Sequence, residues 1–92
     1  MASAWKLSIN PHTSMTGLNM AATIHFLCAI DNAGYFEGDV SKDNLFRDEL
    51  VSKPYEVDAN GCVHPLEKPG LGLEVNVRFL TAHPVIEGPA YI

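Results

Sequence analysis

The run from Leu18 to Ile30 constrains this chain more than any other segment. It is 13 residues long, largely apolar, and interrupted only by Asn19, Thr23 and His25. A membrane span needs about 20 such residues, so the run predicts a buried helix inside a protein. Alanines 21, 22 and 29 favour helix. Apolar side chains fall nearly all round it, which predicts burial on more than one face. Upstream, Trp5 to Ile9 alternates apolar and polar residues in the period of a strand, and Asn10-Pro11 stops it. Thr13, Ser14 or Thr16 can cap the helix. Asp31 to Gly34 is a turn cluster that ends it, and Tyr35 to Gly38 is a second short strand candidate. Strand, buried helix, strand describes a parallel βαβ unit with a right-handed crossover.

Beyond Asp39 the pattern changes. Ser41 to Leu50 is polar, with Leu45, Phe46 and Leu50 spaced as a short amphipathic turn or helix. Asn60-Gly61 sits between Tyr55-Glu56-Val57 and Cys62-Val63-His64, a strong hairpin signal. Leu71 to Val77 alternates as a further strand. Thr81 to Ile92 carries Pro84, Gly88 and Pro89 and reads as an extended tail. The expected core is Leu7, Ile9, Leu18, Ala22, Ile24, Phe26, Leu27, Ile30 and Phe36.

A chain of 92 residues holds one domain at most. Interpolated surface scaling buries roughly 64% of the unfolded chain's surface, enough for one modest core. Apolar residues at 47% exclude a disordered chain. A net charge of −5 with only 6 Lys+Arg excludes nucleic-acid backbone binding. Cys28 and Cys62 are too few for a disulfide scaffold and read as reduced thiols. The N-terminus lacks the charged and apolar blocks of a signal peptide, so the expected location is cytoplasmic, without membrane contact. A single βαβ unit leaves both sheet edges unpaired, which invites pairing with another chain and makes a homo-oligomer the expected state.

His12 and Glu37 are the candidate catalytic residues. Each sits at the C-terminal end of one expected strand, where parallel α/β architectures build their sites. Adjacent parallel strands lie about 5 Å apart, close enough for a histidine and a carboxylate to act as base and acid. The ordinary alternative is an exposed loop histidine and a surface glutamate. His25 and Cys28 share a helix face, but no second pair offers metal spacing, so they read as a packed histidine and a buried thiol. His64 and His83 each precede a proline and receive no chemistry. Asp39, Asp43, Asp48 and Glu49 lack the calcium-loop pattern and read as a solvated acidic loop. No metal ligands are assigned in this chain.

Several of these runs resemble a known family. Ser8-Ile9-Asn10-Pro11-His12-Thr13, His25 to Ile30, Asn32 and Tyr35-Phe36-Glu37 resemble the last barrel strands of mandelate racemase/muconate lactonizing enzymes, in the enolase superfamily. Glu56 to Val63 and Pro69-Gly70-Leu71-Gly72-Leu73-Glu74-Val75 resemble that family's C-terminal segment. The resemblance implies α/β architecture, here a partial (β/α) barrel fragment: one βαβ unit, a β-hairpin and an extended C-terminal segment. Residues 1–92 would form a single incomplete domain, with 5–50 the end of the barrel and 51–92 the hairpin and tail. It implies His12 as the general base and Glu37 as an acidic residue near the substrate carboxylate or the enediolate. The Pro-His-Thr context is closest to the acid-sugar dehydratase branch. Such enzymes use Mg²⁺ to abstract the proton α to a carboxylate. The metal-ligand strands and the aspartate that orients the histidine would lie upstream of this chain. The expectation is therefore a C-terminal piece of a Mg²⁺-dependent enzyme, inactive alone. The alternative is a non-enzymatic module that oligomerises by edge-strand pairing.

Overall fold

The computed structural model describes residues 1–88. Its regular elements are helical: a 3₁₀ turn at Ser3–Trp5, then α1 (Gly17–Ala29), α2 (Leu45–Asp48) and α3 (Val77–Ala82). Helix α1 begins where Thr16 caps it, the hydroxyl accepting the Asn19 N–H at 3.1 Å. Asn44 caps α2 through the Arg47 N–H at 3.2 Å, and Asn76 caps α3 through the Phe79 N–H at 3.1 Å.

The structure corrects the expected α/β architecture. Among the described residues there is no sheet. The βαβ unit, the hairpin and the third strand each shrink to one isolated bridge: parallel Ile9–Ala33, antiparallel Val57–Val63 and antiparallel Val51–Val75. The causes are local. Trp5 lies in the 3₁₀ turn and Lys6 adopts φ 56, so the first strand cannot begin where the alternation begins. Pro11 has no N–H to extend the ladder beyond Ile9. The Ile9 N–H donates to the Asn32 carbonyl and the Gly34 N–H to the Ile9 carbonyl, both at 2.9 Å. Just beyond the bridge, the Tyr35 N–H donates to the Asn10 side chain at 2.6 Å. At the Asn-Gly turn, the Asn60 and Cys62 N–H groups both donate to the Asp58 carboxylate. Pro54 and Pro65 then close off the ladder on both sides. Leu71–Val77 fails as a strand because Asn76 starts α3, which also replaces the first residues of the expected extended tail. Residues 89–92 of that tail lie outside the described residues.

Helix α1 buries Gly17, Met20, Ala21, Thr23, Ile24 and Leu27, essentially one face rather than several. Gly17 lets it approach the chain around α2: a Cβ there would sit 2.5 Å from Val51 Cγ2 and 3.0 Å from the Arg47 carbonyl oxygen. A second centre is Leu50, Val51 and Phe79, with Leu18 and Leu73 against it. Phe79 meets Phe46 edge-on, and His83 stacks on it at 4.1 Å. Of the expected core, Ile24 and Leu27 are buried, while Ile9, Leu18, Ile30 and Phe36 are half-buried. Leu7, Ala22 and Phe26 are exposed, because no described segment packs over them.

The accessible surface is 7297 Å². A compact monomer of this mass would expose about 5,200 Å². The radius of gyration is 15.3 Å, against about 12 Å for a compact chain of this length. Trp5, Leu7, Phe26, Tyr35 and Val40 are among the apolar side chains left in solvent. Among the described residues no helix is long and apolar enough to cross a membrane.

Candidate functional site

The single parallel bridge positions the site. It pairs Ile9 with Ala33, and each chain then runs three or four residues onward to His12 and Glu37. Two contacts hold the second segment in place. Asn10 grips the Tyr35 N–H, and Phe36 packs edge-on against Tyr55 with ring centroids 4.9 Å apart. The first segment is anchored by Thr13, which is fully buried and donates its hydroxyl to Thr23 on α1 at 3.2 Å.

His12 Nδ1 lies 3.0 Å from both carboxylate oxygens of Glu37. An ionised carboxylate only accepts, so Nδ1 carries the proton. In the neutral ring, Nε2 is then left as the acceptor and base. Ser14 Oγ is 3.1 Å from that nitrogen. The side chains of His12 and Glu37 are 75% and 53% exposed, so within this chain nothing excludes water from the pair.

The other candidates separate from this centre. Arg47 fills the acidic loop: it makes a two-pronged pair with Asp48, contacts Asp39, and donates to the carbonyls of Asp39 and Ser41. Hydrogen bonds from Ser41 and Asn44 hold the Asp39 carboxyl down to about 2. His64 Nε2 is 2.9 Å from Asp58. That contact, with the N–H groups of Cys62 and Asn60, lowers the Asp58 carboxyl to about 2. His83 Nδ1 donates to the Phe79 carbonyl at 2.8 Å, a helix-end contact. Cys28 is exposed, contrary to the buried thiol expected beside His25. Its neighbour His25 is half-buried, and its Nε2 has no partner. A groove lined by Ile24, Leu27, Phe36, Tyr55 and Cys62 does not include His12 or Glu37. Among the described residues, no group of three His, Cys, Asp or Glu could hold a metal ion. This chain's own residues therefore do not fit a Mg²⁺ site.

Sequence reasoning passed over Ser14 except as a possible cap. The available signal was spacing: His12 and Ser14 flank Thr13, and the structure buries Thr13 and leaves both neighbours exposed.

Helix α1 thus links two segments that meet at a parallel bridge, and a histidine–carboxylate pair lies just beyond that bridge. Comparison with known proteins gives the family. The enolase C-terminal domain-like family matches residues 1–79. The crystal structure of a member of the enolase superfamily from Polaromonas sp. JS666 superposes with a TM-score of 0.82 and 53% sequence identity. That match covers 100% of this chain and 24% of the other, so this chain spans about a quarter of its relative's length. A search of curated sequences found no match. The chain belongs to the enolase C-terminal domain-like family.

Proposed function

We propose that this chain is the C-terminal portion of an enolase-superfamily enzyme of the acid-sugar dehydratase or racemase type. In it, His12 Nε2 takes the proton α to a substrate carboxylate. The observation that carries this reading is the 3.0 Å contact between His12 Nδ1 and Glu37, in a chain of this family. Glu37 fixes the tautomer and leaves Nε2 as the nitrogen that can accept the proton. Glu37 thus acts on His12 itself, the part expected of an aspartate elsewhere. In this superfamily the negative charge of the resulting enediolate is met by Mg²⁺. The described residues do not fit that ion, so its ligands belong to the rest of the enzyme and the 92-residue chain alone does not carry out this proton abstraction. The exposed thiols of Cys28 and Cys62 suit a reducing, cytosolic compartment.

A chimera tests this. The matching quarter of the Polaromonas enzyme is replaced by this chain, and α-deuterium incorporation into a panel of sugar acids is followed in D₂O with Mg²⁺. Exchange in the chimera that His12→Asn abolishes is the expected result. Exchange that survives His12→Asn, or turnover by the isolated chain, would overturn the reading.

The surface area supports a second reading, self-association. The excess over a compact monomer is about 2,000 Å², within the range of a stable interface. Light scattering coupled to size exclusion should then give a discrete oligomer; a monodisperse monomer would exclude it.

A further inference from the structure

We propose that Ser14, His12 and Glu37 form an acyl-transfer site that hydrolyses activated esters such as aryl acetates. This goes beyond the proton-abstraction reading and needs neither a metal nor any further part of an enzyme. The three side chains stand in nucleophile, base and orienting-acid order: Ser14 Oγ at 3.1 Å from His12 Nε2, and His12 Nδ1 at 3.0 Å from both Glu37 oxygens. A nucleophile bonded to a base, and the base to a third group, is the arrangement that activates a serine.

The polarity of the relay follows from the acceptor-only carboxylate. With the Nδ1 proton directed at Glu37, Nε2 can only accept in the neutral ring, so the Ser14 hydroxyl donates to it. That is the direction in which the serine proton must move. Ser14 is free for the role because the helix cap is Thr16. The backbone holds the pair together. Buried Thr13 lies between them and is fastened to Thr23, which keeps His12 and Ser14 on one outward side.

The step balances without a co-reactant other than water. Ser14 Oγ bonds to the ester carbonyl carbon as its proton passes to His12 Nε2. The bond to the phenolate then breaks, and His12 passes that proton to the leaving phenolate or to solvent, which returns the ring to its neutral form. Water, deprotonated by His12, attacks the acyl-serine, releases the carboxylic acid and restores the Ser14 hydroxyl. The open position of the histidine admits ester and water alike. No preorganised oxyanion donors are part of the proposal, which is why the substrates are esters with good leaving groups.

The 92-residue chain is incubated with p-nitrophenyl acetate at neutral pH, and phenolate release is followed in wild type, Ser14→Ala, His12→Ala and Glu37→Gln. A parallel sample is quenched in acid and mapped by mass spectrometry. The expected result is release above the buffer rate, with acetyl on Ser14. Ser14→Ala and His12→Ala should each lower the rate about a hundredfold, the low end for an acid–base group, and Glu37→Gln by a smaller factor. Because Ser14 is exposed, its loss should leave the circular dichroism spectrum unchanged. Release no faster than buffer, or a Ser14→Ala rate equal to wild type, would overturn the proposal. Acetyl found on His12 and not on Ser14 would do the same, because it makes the imidazole alone the nucleophile.

Discussion

Gly17→Ala sets two opposed effects against each other at one atom. Alanine in place of glycine favours a helix by up to about 1 kcal/mol, less at a first-turn position. The added Cβ would meet Val51 Cγ2 at 2.5 Å and the Arg47 carbonyl oxygen at 3.0 Å. Carbon atoms in contact normally lie about 3.5–4.0 Å apart, so roughly 1 Å of movement is required. Neither neighbour yields easily. Val51 is buried between Leu50 and Phe79, and its branched side chain is stiff about χ1. The Arg47 oxygen is backbone of α2. Overpacking of this kind costs about 1–3 kcal/mol, so steric cost outweighs propensity and the net loss is about 1–2 kcal/mol. In a domain of this size that lowers Tm by roughly 5–15 °C. Thermal melts and urea titrations followed at 222 nm read it directly. The Val51→Ala background removes Cγ2, so there Gly17→Ala should cost less than about 0.5 kcal/mol. An unchanged or raised Tm for Gly17→Ala in the wild-type background would refute the packing of α1 on the Val51 segment.

The remaining predictions concern the groups around the site. Thr13→Val should cost about 1 kcal/mol or more in urea unfolding, because it removes the donor to Thr23 from a buried pair; no change would mean that Thr13 does not anchor the His12 loop. Asp39 and Asp58 are both lowered to about 2 from an ordinary 3.8. A carboxyl whose pKa falls on folding adds stability that is present above 3.8 and lost as pH falls towards 2. Carboxyl ¹³C titrations should show both low values in the folded chain, and ordinary values would contradict the hydrogen bonds. Arg47→Lys should speed amide exchange across residues 39–44, since an ammonium cannot span Asp48 and two loop carbonyls at once; unchanged exchange would show that the loop holds without it.

Local signals in this chain were legible and pairing was not. The Leu18–Ile30 run and the polar turn before Leu45 mark real helices, α1 and α2, because capping and propensity act within a few residues. Alternation at Trp5–Ile9 and Leu71–Val77 describes a face, but a strand also needs a partner with free donors. Pro11, Pro54 and Pro65 remove those donors, and the side chains of Asn10 and Asp58 capture others. The same limit explains the core. Phe26 and Leu7 are large and apolar, yet exposed, since apolar character alone does not say which side chains find a covering segment. Met20 and Phe79 were missed because burial of α1 on one face, and the existence of α3, depend on contacts distant in sequence. That His12 and Glu37 each follow an apolar segment could be read directly. Their mutual distance, and the part Ser14 takes, required coordinates.

The proposed function stands on Glu37 holding the His12 Nδ1 proton and leaving Nε2 as the base. Long-range ¹H–¹⁵N correlation of the His12 imidazole at neutral pH tests it most directly. Whatever fraction of the ring is neutral should carry its proton on Nδ1 in the wild type, with that preference lost in Glu37→Gln. A ring protonated at Nε2, unchanged by Glu37→Gln, would contradict it.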